Sequence, residues 1–217
     1  MNERLHTFKT LANILDPCSP NSELQDKLKR LDRQDWFALA EVALQHGVSS
    51  RFYQTVKAFA KTEPFPEELQ TRLENAYFQN AVRNTLILAR ATKLLQDFKA
   101  NKIDTIALKG IYLAENINRS IAERYFCDID LLVKRADLPK AIASAQACGY
   151  KPSTYFDPAD QNIDIKHVPP MFNAEGLPLE IHWTLLEEDE PFSIEATELW
   201  RRAVPEKVAG VDVLVLS

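Results

Sequence analysis

The hydrophobic pattern of the chain changes near residue 101, and this change limits the possible folds more than any other feature. In residues 1–100, apolar side chains recur every three or four positions, which is typical of helices that bury one face. After Asn101, short apolar runs rich in β-branched residues alternate with helical segments. The sequence therefore predicts an α+β fold, in which an all-helical N-terminal region precedes a mixed β-sheet with flanking helices.

This pattern divides the chain into a helical region, 1–100, and an α/β domain, 101–217. The helical pattern from residue 66 to 100 contains no Gly or internal Pro after its start and predicts either one long helix or two. In the second region we expect strands in IDTIALKG, FCDIDLLVKR, LPLEIHWTL and VDVLVLS. The turn at residues 173–176 predicts a hairpin that ends in the strand LPLEIHWTL.

Composition restricts the classes of partner and the compartment. The chain has 26 Lys and Arg against 31 Asp and Glu, a net charge of −5, which argues against long nucleic acid and anionic membranes as partners. Its three cysteines are widely spaced and form no CxxC pair, as in a cytosolic protein with reduced thiols. The N-terminus does not resemble a signal peptide, and no apolar stretch approaches the roughly 18 residues that span a bilayer. We therefore expect a cytoplasmic protein without a membrane segment.

Two aspartates in one predicted strand suggest a metal site. Asp128 and Asp130 are two residues apart, so a strand would place both on one face, about 7 Å apart. Because like charges on a half-buried face repel each other, this arrangement needs a cation or a strong hydrogen-bond network. Carboxylate oxygens suit Mg²⁺ in particular. The alternative is that these acids line a solvated face of the sheet.

A third carboxylate lies in a similar setting. Glu180 is flanked by apolar residues in another predicted strand, so it projects onto the face opposite to theirs. His182 falls on the same face as Glu180 and is predicted either to orient a carboxylate, to contact a nucleotide, or to be a structural histidine. A histidine pair formed by His167 and His182 is a further metal-site hypothesis, but it lacks identifiable additional ligands.

Positive charge precedes the two aspartates in the sequence. Lys109 and Gly110 lie where a predicted strand gives way to a helix, a place where a backbone N–H and a lysine can meet phosphate. Taken alone, these two residues favour a simple strand end and a solvated lysine. Arg124 comes four residues before Asp128 and is predicted to contact phosphate, to pair with the carboxylates, or to lie on the surface.

Four segments together resemble a known family. In order, they are IALKGIYLAENI, RYFCDIDLLV, a helix that ends in ACGYK, and LEIHWTL. This series resembles the uncharacterised nucleotidyltransferase family of the DNA polymerase β-like nucleotidyltransferase superfamily. The resemblance covers about residues 100–186 and implies a nucleotidyltransferase-like sheet.

The resemblance also implies roles for particular residues. Lys109 and Gly110 match the turn that holds the nucleotide, and Arg124 matches an arginine ahead of the aspartate pair. Asp128 and Asp130 match the residues that bind two Mg²⁺ ions, and Glu180 matches the third catalytic carboxylate. His182 is assigned to the nucleotide-binding group on its position beside Glu180.

The chain departs from the superfamily pattern in two places. No Ser follows Gly110, and 18 residues separate Gly110 from Asp128, a longer gap than in compact members. Members also usually continue into further helices after a strand such as VLVLS. The resemblance therefore implies either a C-terminally truncated chain or a short member of the family.

These observations predict a magnesium-dependent enzyme that binds ATP or another NTP and transfers its nucleoside monophosphate to an acceptor, releasing pyrophosphate. The acceptor could be a small molecule, a sugar, a protein side chain or an RNA end. One alternative is a catalytically inactive module of the same fold that binds a nucleotide or a protein. Another is a component of a toxin–antitoxin pair. The sequence does not indicate an oligomeric state.

Overall fold

In the computed structural model the chain forms two compact units. The structure describes residues 2–18, 21–118, 120–155, 166–186, 191 and 194–216. The N-terminal unit contains residues 1–83 and 119–125, and the C-terminal unit contains residues 84–118 and 126–217. The division at residue 100 that the sequence pattern predicts follows a change of secondary structure, whereas the two units are defined by packing. The two criteria therefore give different boundaries.

Helices build the N-terminal unit. They are α1 (Asn2–Leu15), α2 (Asn21–Lys29), α3 (Arg33–Gln45), α4 (Ser49–Val56) and the first part of α5 (Glu67–Ala100), with a 3₁₀ turn at Phe59–Lys61. Asp32 caps α3 in a capping box with Asp35, which satisfies backbone N–H groups at the helix start. The core packs Trp36 against the rings of Phe52 and Phe59.

The helical pattern from residue 66 to 100 forms one helix, α5, of 34 residues. Its buried positions include Leu69, Leu73, Ile87, Ala91, Leu94, Leu95 and Phe98. Because no Pro or Gly interrupts these residues, every backbone N–H after the first turn can bond within the helix. No helix among the described residues is both long enough and apolar enough to cross a membrane.

The described strands of the C-terminal unit form one mixed sheet. They are β1 (Thr105–Ala107), β2 (Ile129–Val133), β3 (Lys151–Pro152), β4 (Met171–Phe172), β5 (Pro178–His182), β6 (Val204–Val208) and β7 (Val211–Val215). Their order is β3-β4-β5-β2-β1-β7-β6. Strand β2 is central and buried at every position; it runs parallel to β5 and antiparallel to β1. Central strands of this kind typically consist of apolar residues, so the charged Asp130 within β2 requires a specific explanation.

Among the described residues, the C-terminal unit also contains the second part of α5 and the helices α6 (Lys109–Asn116), α7 (Leu138–Ala147) and α8 (Ala196–Arg202). A 3₁₀ turn at Arg135–Asp137 leads into α7. Strands β4 and β5 pair antiparallel around residues 173–176, as the predicted hairpin requires. The fold class predicted from the sequence, a helical region followed by a mixed sheet with flanking helices, is thus confirmed.

Candidate metal and nucleotide site

Two neighbouring strands bring Asp130, Glu180 and His182 together. Strands β2 and β5 pair in parallel, with Asp130 opposite Glu180 and Leu132 opposite His182. Side chains two residues apart on a strand share a face, so Glu180 and His182 both lie on the face that carries Asp130. Ile129 and Leu131 project to the other face and are fully buried. The register of one strand pair is therefore enough to assemble this cluster.

The cluster is tight and largely buried. His182 Nε2 lies 3.1 Å from Asp130 Oδ1 and 3.4 Å from Glu180 Oε2. One ligand atom from each of the three residues lies within 4.8 Å of the other two. Asp130 and His182 are only 2% and 3% exposed, whereas the Glu180 side chain is 25% exposed. Glu180 therefore forms the solvent-facing side of the cluster.

Lys109 supplies positive charge to the same carboxylate. It is the first residue of α6, separated by one residue from the end of β1 at Ala107, and its backbone has a φ of 41°. This left-handed conformation is uncommon for a residue with a side chain. The backbone N–H of Leu108 donates to the Asp130 carbonyl at 3.1 Å, which fixes the turn beside β2. Lys109 Nζ then lies 3.2 Å from Asp130 Oδ2.

These neighbours determine the ionisation of Asp130. Burial raises the pKa of this carboxyl, but the hydrogen bond with His182 and the charge of Lys109 outweigh burial and leave the pKa below its usual value. The approach of Lys109 is an ion pair without hydrogen-bond geometry, so Asp130 Oδ2 is buried with no hydrogen bond. Asp130 is therefore an ionised carboxylate with one oxygen still able to bind a ligand.

Asp128 occupies a different place from the one predicted. The sequence pattern puts Asp128 and Asp130 in one strand, but β2 begins at Ile129, so that prediction is wrong by one residue for Asp128. Burial raises the pKa of Asp128, and the negative charges of Asp130 and Glu180 raise it further, while Lys109 lowers it. Asp128 thus lies within the electric field of the cluster. Among the described residues, the group of three with converging ligand atoms does not include it.

Gly110 has a packing role that the sequence did not indicate. It is buried in the first turn of α6, and a Cβ at this position would lie 2.9 Å from the Cβ of Phe126 and 3.0 Å from its Cγ. Distances this short require the Phe126 side chain to move. The absence of a side chain at Gly110 is therefore explained by Phe126, and a role for its backbone N–H in nucleotide binding remains a prediction.

Arg124 belongs to the N-terminal unit, unlike the other predicted site residues. Its side chain lies in an exposed position, and its carbonyl accepts a hydrogen bond from Asn80 Nδ2 at 3.1 Å. The predicted contact of Arg124 with phosphate or with the carboxylates remains a prediction.

His182 has a larger place in the cluster than the sequence suggested. The sequence predicts that it binds the nucleotide, orients a carboxylate or is structural, and the structure also places one of its ring nitrogens among the three converging ligand atoms. The signal was present, because His182 shares the face of Glu180. His167 forms a β-bridge with His182, and their ring centroids lie 5.0 Å apart. Because His167 Nδ1 lies 2.8 Å from the Val168 carbonyl, this nitrogen is engaged by the backbone.

Family membership agrees with this geometry. A family model described as an uncharacterised nucleotidyltransferase matches residues 32–217. The chain belongs to this nucleotidyltransferase family. No curated protein and no solved structure shows significant similarity to the chain. The resemblance drawn from four sequence segments is thus confirmed and extends over most of the chain.

The donor set of this nucleotidyltransferase suits a divalent cation. Two carboxylates offer hard oxygen ligands, and an imidazole nitrogen can complete a mixed oxygen and nitrogen site. The buried Asp130 Oδ2 lacks a hydrogen bond, and burial, followed by the negative charges of Asp130 and Glu180, raises the pKa of Asp128. A bound cation would offset both, so the residues present fit a metal.

Proposed function

We propose that the chain is a metal-dependent nucleotidyltransferase that moves a nucleoside monophosphate from an NTP to an acceptor. The observation that carries this proposal is the convergence of Asp130, Glu180 and His182 on one face of the sheet, beside Lys109. An acceptor nucleophile would form a bond to the α-phosphorus while the bond to the β-phosphate oxygen breaks. Pyrophosphate would leave with the bonding electron pair.

Asp130 and Glu180 would hold the cation, with His182 as a third ligand or as the group that orients Asp130. Mg²⁺ is the ion best suited to carboxylates and triphosphate oxygens, and when bound it would stabilise negative charge on the attacking and leaving oxygens. Asp128 lies in the same field and would contribute a further carboxylate. Two ions, as in the superfamily, are the expected number.

Glu180 is the better candidate for accepting the proton of the acceptor nucleophile. Asp130 is a weak base because its pKa is lowered by His182 and Lys109. Glu180 is more exposed and so can meet an acceptor from solvent. Lys109, at the start of α6, would face the triphosphate, where both its charge and the helix N-terminus favour phosphate.

One observation favours the non-catalytic alternative. Lys109 pairs with Asp130, and His182 lies within hydrogen-bond distance of the same carboxylate, so the chain itself supplies a cation there through Lys109. A module of this kind would bind a nucleotide or a protein without turnover. It differs from the enzyme in a measurable way, because binding would occur without release of pyrophosphate.

The test measures nucleotide binding and pyrophosphate release together. Wild-type protein, Asp130→Asn and the control Asp212→Asn would be incubated with each of four α-labelled NTPs, with Mg²⁺ or with EDTA. Pools of small molecules, sugars and proteins would serve as acceptors. Asp212 is an exposed carboxylate of the same unit, paired with Lys99 at 3.0 Å, and has no place in the proposed site.

We expect Mg²⁺-dependent transfer of label by the wild type and by Asp212→Asn, with pyrophosphate released, and none by Asp130→Asn. Metal-dependent NTP binding without pyrophosphate from any pool would favour the inactive module. Absence of both binding and transfer in the wild type would contradict the proposed function.

A further inference from the structure

The N-terminal unit contains a cavity of about 760 Å³ that the proposed nucleotide site does not use. Residues from α1, α4 and α5 line it together with Ser120 and Glu123. The Tyr77 and Ser120 hydroxyls lie 2.8 Å apart at its wall. The cavity is large enough for a small organic molecule, and its lining carries several hydrogen-bonding groups.

Hydrogen bonds hold the backbone around Glu123 at the wall of this cavity. Asn80 is buried, and its Nδ2 donates to the carbonyls on both sides of Glu123, at 2.6 Å to Ala122 and 3.1 Å to Arg124. The backbone N–H of Glu123 donates to the Ser120 carbonyl at 3.0 Å. These hydrogen bonds hold the backbone at Glu123 in place beside the cavity.

The Glu123 carboxylate is buried but incompletely satisfied. Glu123 is 7% exposed, and its Oε2 has no hydrogen-bond partner. Arg51 Nη1 lies 3.7 Å from this oxygen, close enough for an ion pair but too far for a hydrogen bond. A buried polar atom without a hydrogen bond destabilises the protein, so a ligand that donates to Oε2 would gain affinity.

Charges of both signs line the cavity. Arg51 and Lys57 contribute positive side chains, while Asp16 and Glu123 contribute negative ones. A simple cation would be attracted by Glu123 and repelled by Arg51, and a simple anion would meet the reverse. A ligand that carries both charges and lies alongside this long ion pair, within the cavity, can satisfy Glu123 and Arg51 together.

We propose that this cavity binds a small zwitterion of the α-amino acid class. Its ammonium group donates to Glu123 Oε2, and its carboxylate accepts from the Arg51 guanidinium. Tyr77 and Ser120 offer hydroxyls to the remainder of the ligand. The inference uses only the N-terminal unit and does not depend on the proposed nucleotidyl transfer.

The test uses free L-amino acids as probes. Each would be titrated against the full chain by ligand-observed NMR and calorimetry at millimolar concentration. The methyl ester and the N-acetyl derivative of any binder would follow, since each removes one of the two charges. We expect at least one amino acid to bind, and each derivative to bind at least about tenfold more weakly, as the loss of a charge-assisted hydrogen bond predicts.

Variants locate the site. Glu123→Gln and Arg51→Met should each weaken binding at least about tenfold, by the same reasoning. Glu41→Gln is the control, because Glu41 forms an exposed ion pair with Arg72 in the same unit. Failure of every amino acid to bind would overturn the proposal, and so would derivatives that bind as well as the parent. Because the derivatives are tested on the wild type, the test does not depend on the variants folding.

Discussion

Asp130 in the C-terminal unit and Glu123 in the N-terminal unit are both buried acids, 2% and 7% exposed, yet their surroundings differ. Asp130 has His182 within hydrogen-bond distance and Lys109 at 3.2 Å, and its pKa is lowered. Glu123 has Arg51 at 3.7 Å and no hydrogen bond to its buried Oε2. Burial alone therefore does not determine how a carboxylate contributes to stability.

The two acids thus represent two cases: a carboxylate that close contacts stabilise, and a carboxylate with a buried oxygen that has no hydrogen bond. Asp130 forms an ion pair with Lys109 and lies within hydrogen-bond distance of His182, so replacing it should lower both stability and activity. Glu123 forms no comparable contact, so its removal should affect binding far more than stability. The predictions below test this contrast.

Asp130→Asn should have the largest effect. We expect at least about a 100-fold loss of Mg²⁺-dependent pyrophosphate release, at or beyond the upper end for a residue that supports a metal site. Stability without metal should fall by about 2 kcal/mol, the scale of a hydrogen bond to a charged group. Initial rates and urea unfolding curves would measure the two effects.

The pH dependence of the stability that Asp130→Asn loses provides a check. Because the folded pKa of Asp130 is lowered, its ionised form stabilises the fold fully above the usual value of 3.8. That stabilisation is lost as the pH falls through the lowered pKa. The difference in unfolding free energy between wild type and Asp130→Asn should therefore shrink below pH 3.8. A variant as stable as the wild type at pH 7 would contradict the account of Asp130.

Asp128→Asn should lower turnover and raise stability. Turnover should fall by roughly 10- to 100-fold, because in the proposed metal site Asp128 would lie outside the buried centre. Without metal, the melting temperature at pH 7 should rise, because burial and the charges of Asp130 and Glu180 disfavour its ionised form. The rise should be smaller than the fall caused by Asp130→Asn. Parallel melting curves of the two variants would give this comparison.

This effect also has a defined pH range. The pKa of Asp128 is raised above 3.8, so wild-type stability is reduced as the pH rises through the folded pKa and Asp128 ionises. Asp128→Asn has no carboxyl group that ionises at this position. The amount by which its unfolding free energy exceeds that of the wild type should therefore shrink as the pH falls toward 3.8. If that difference in unfolding free energy grew as the pH fell, Asp128 would instead be stabilised as a carboxylate.

Glu123→Gln should have the smallest effect on stability. The ion pair with the partly exposed Arg51 is long, so the unfolding free energy should change by no more than about 1 kcal/mol in either direction. Urea unfolding of Glu123→Gln beside Glu41→Gln would measure the change. If Glu123→Gln lost as much unfolding free energy as Asp130→Asn, the two buried acids would not differ in their contribution to stability.

The sequence predicts those features that depend on a regular repeat of apolar and polar side chains along a strand or a helix. Asp130 and Glu180 were found because side chains alternate along a strand, so an acid between apolar neighbours must face away from them. The long helix α5 and the hairpin around residues 173–176 follow from equally regular patterns. The membership of the family was inferred from the same segments.

Features that depend on tertiary packing could not be predicted. Strand β2 begins at Ile129, whose partner in β5 is Leu179, and this leaves Asp128 outside the strand. Gly110 is required by the ring of Phe126, 16 positions later in the sequence, which no local pattern reveals. Glu123 lies in a loop without periodicity, and its burial depends on Asn80 at a distant position in the chain.

The central claim is that Asp130, Glu180 and His182 form one divalent-cation site. The most direct measurement is Mn²⁺ binding by calorimetry and electron paramagnetic resonance, on wild type, Glu180→Gln and the exposed control Glu206→Gln. We expect the wild type and the control to bind Mn²⁺ with equal affinity, and Glu180→Gln to bind at least about tenfold more weakly. Equal binding by all three proteins, or none by the wild type with NTP present, would contradict the claim.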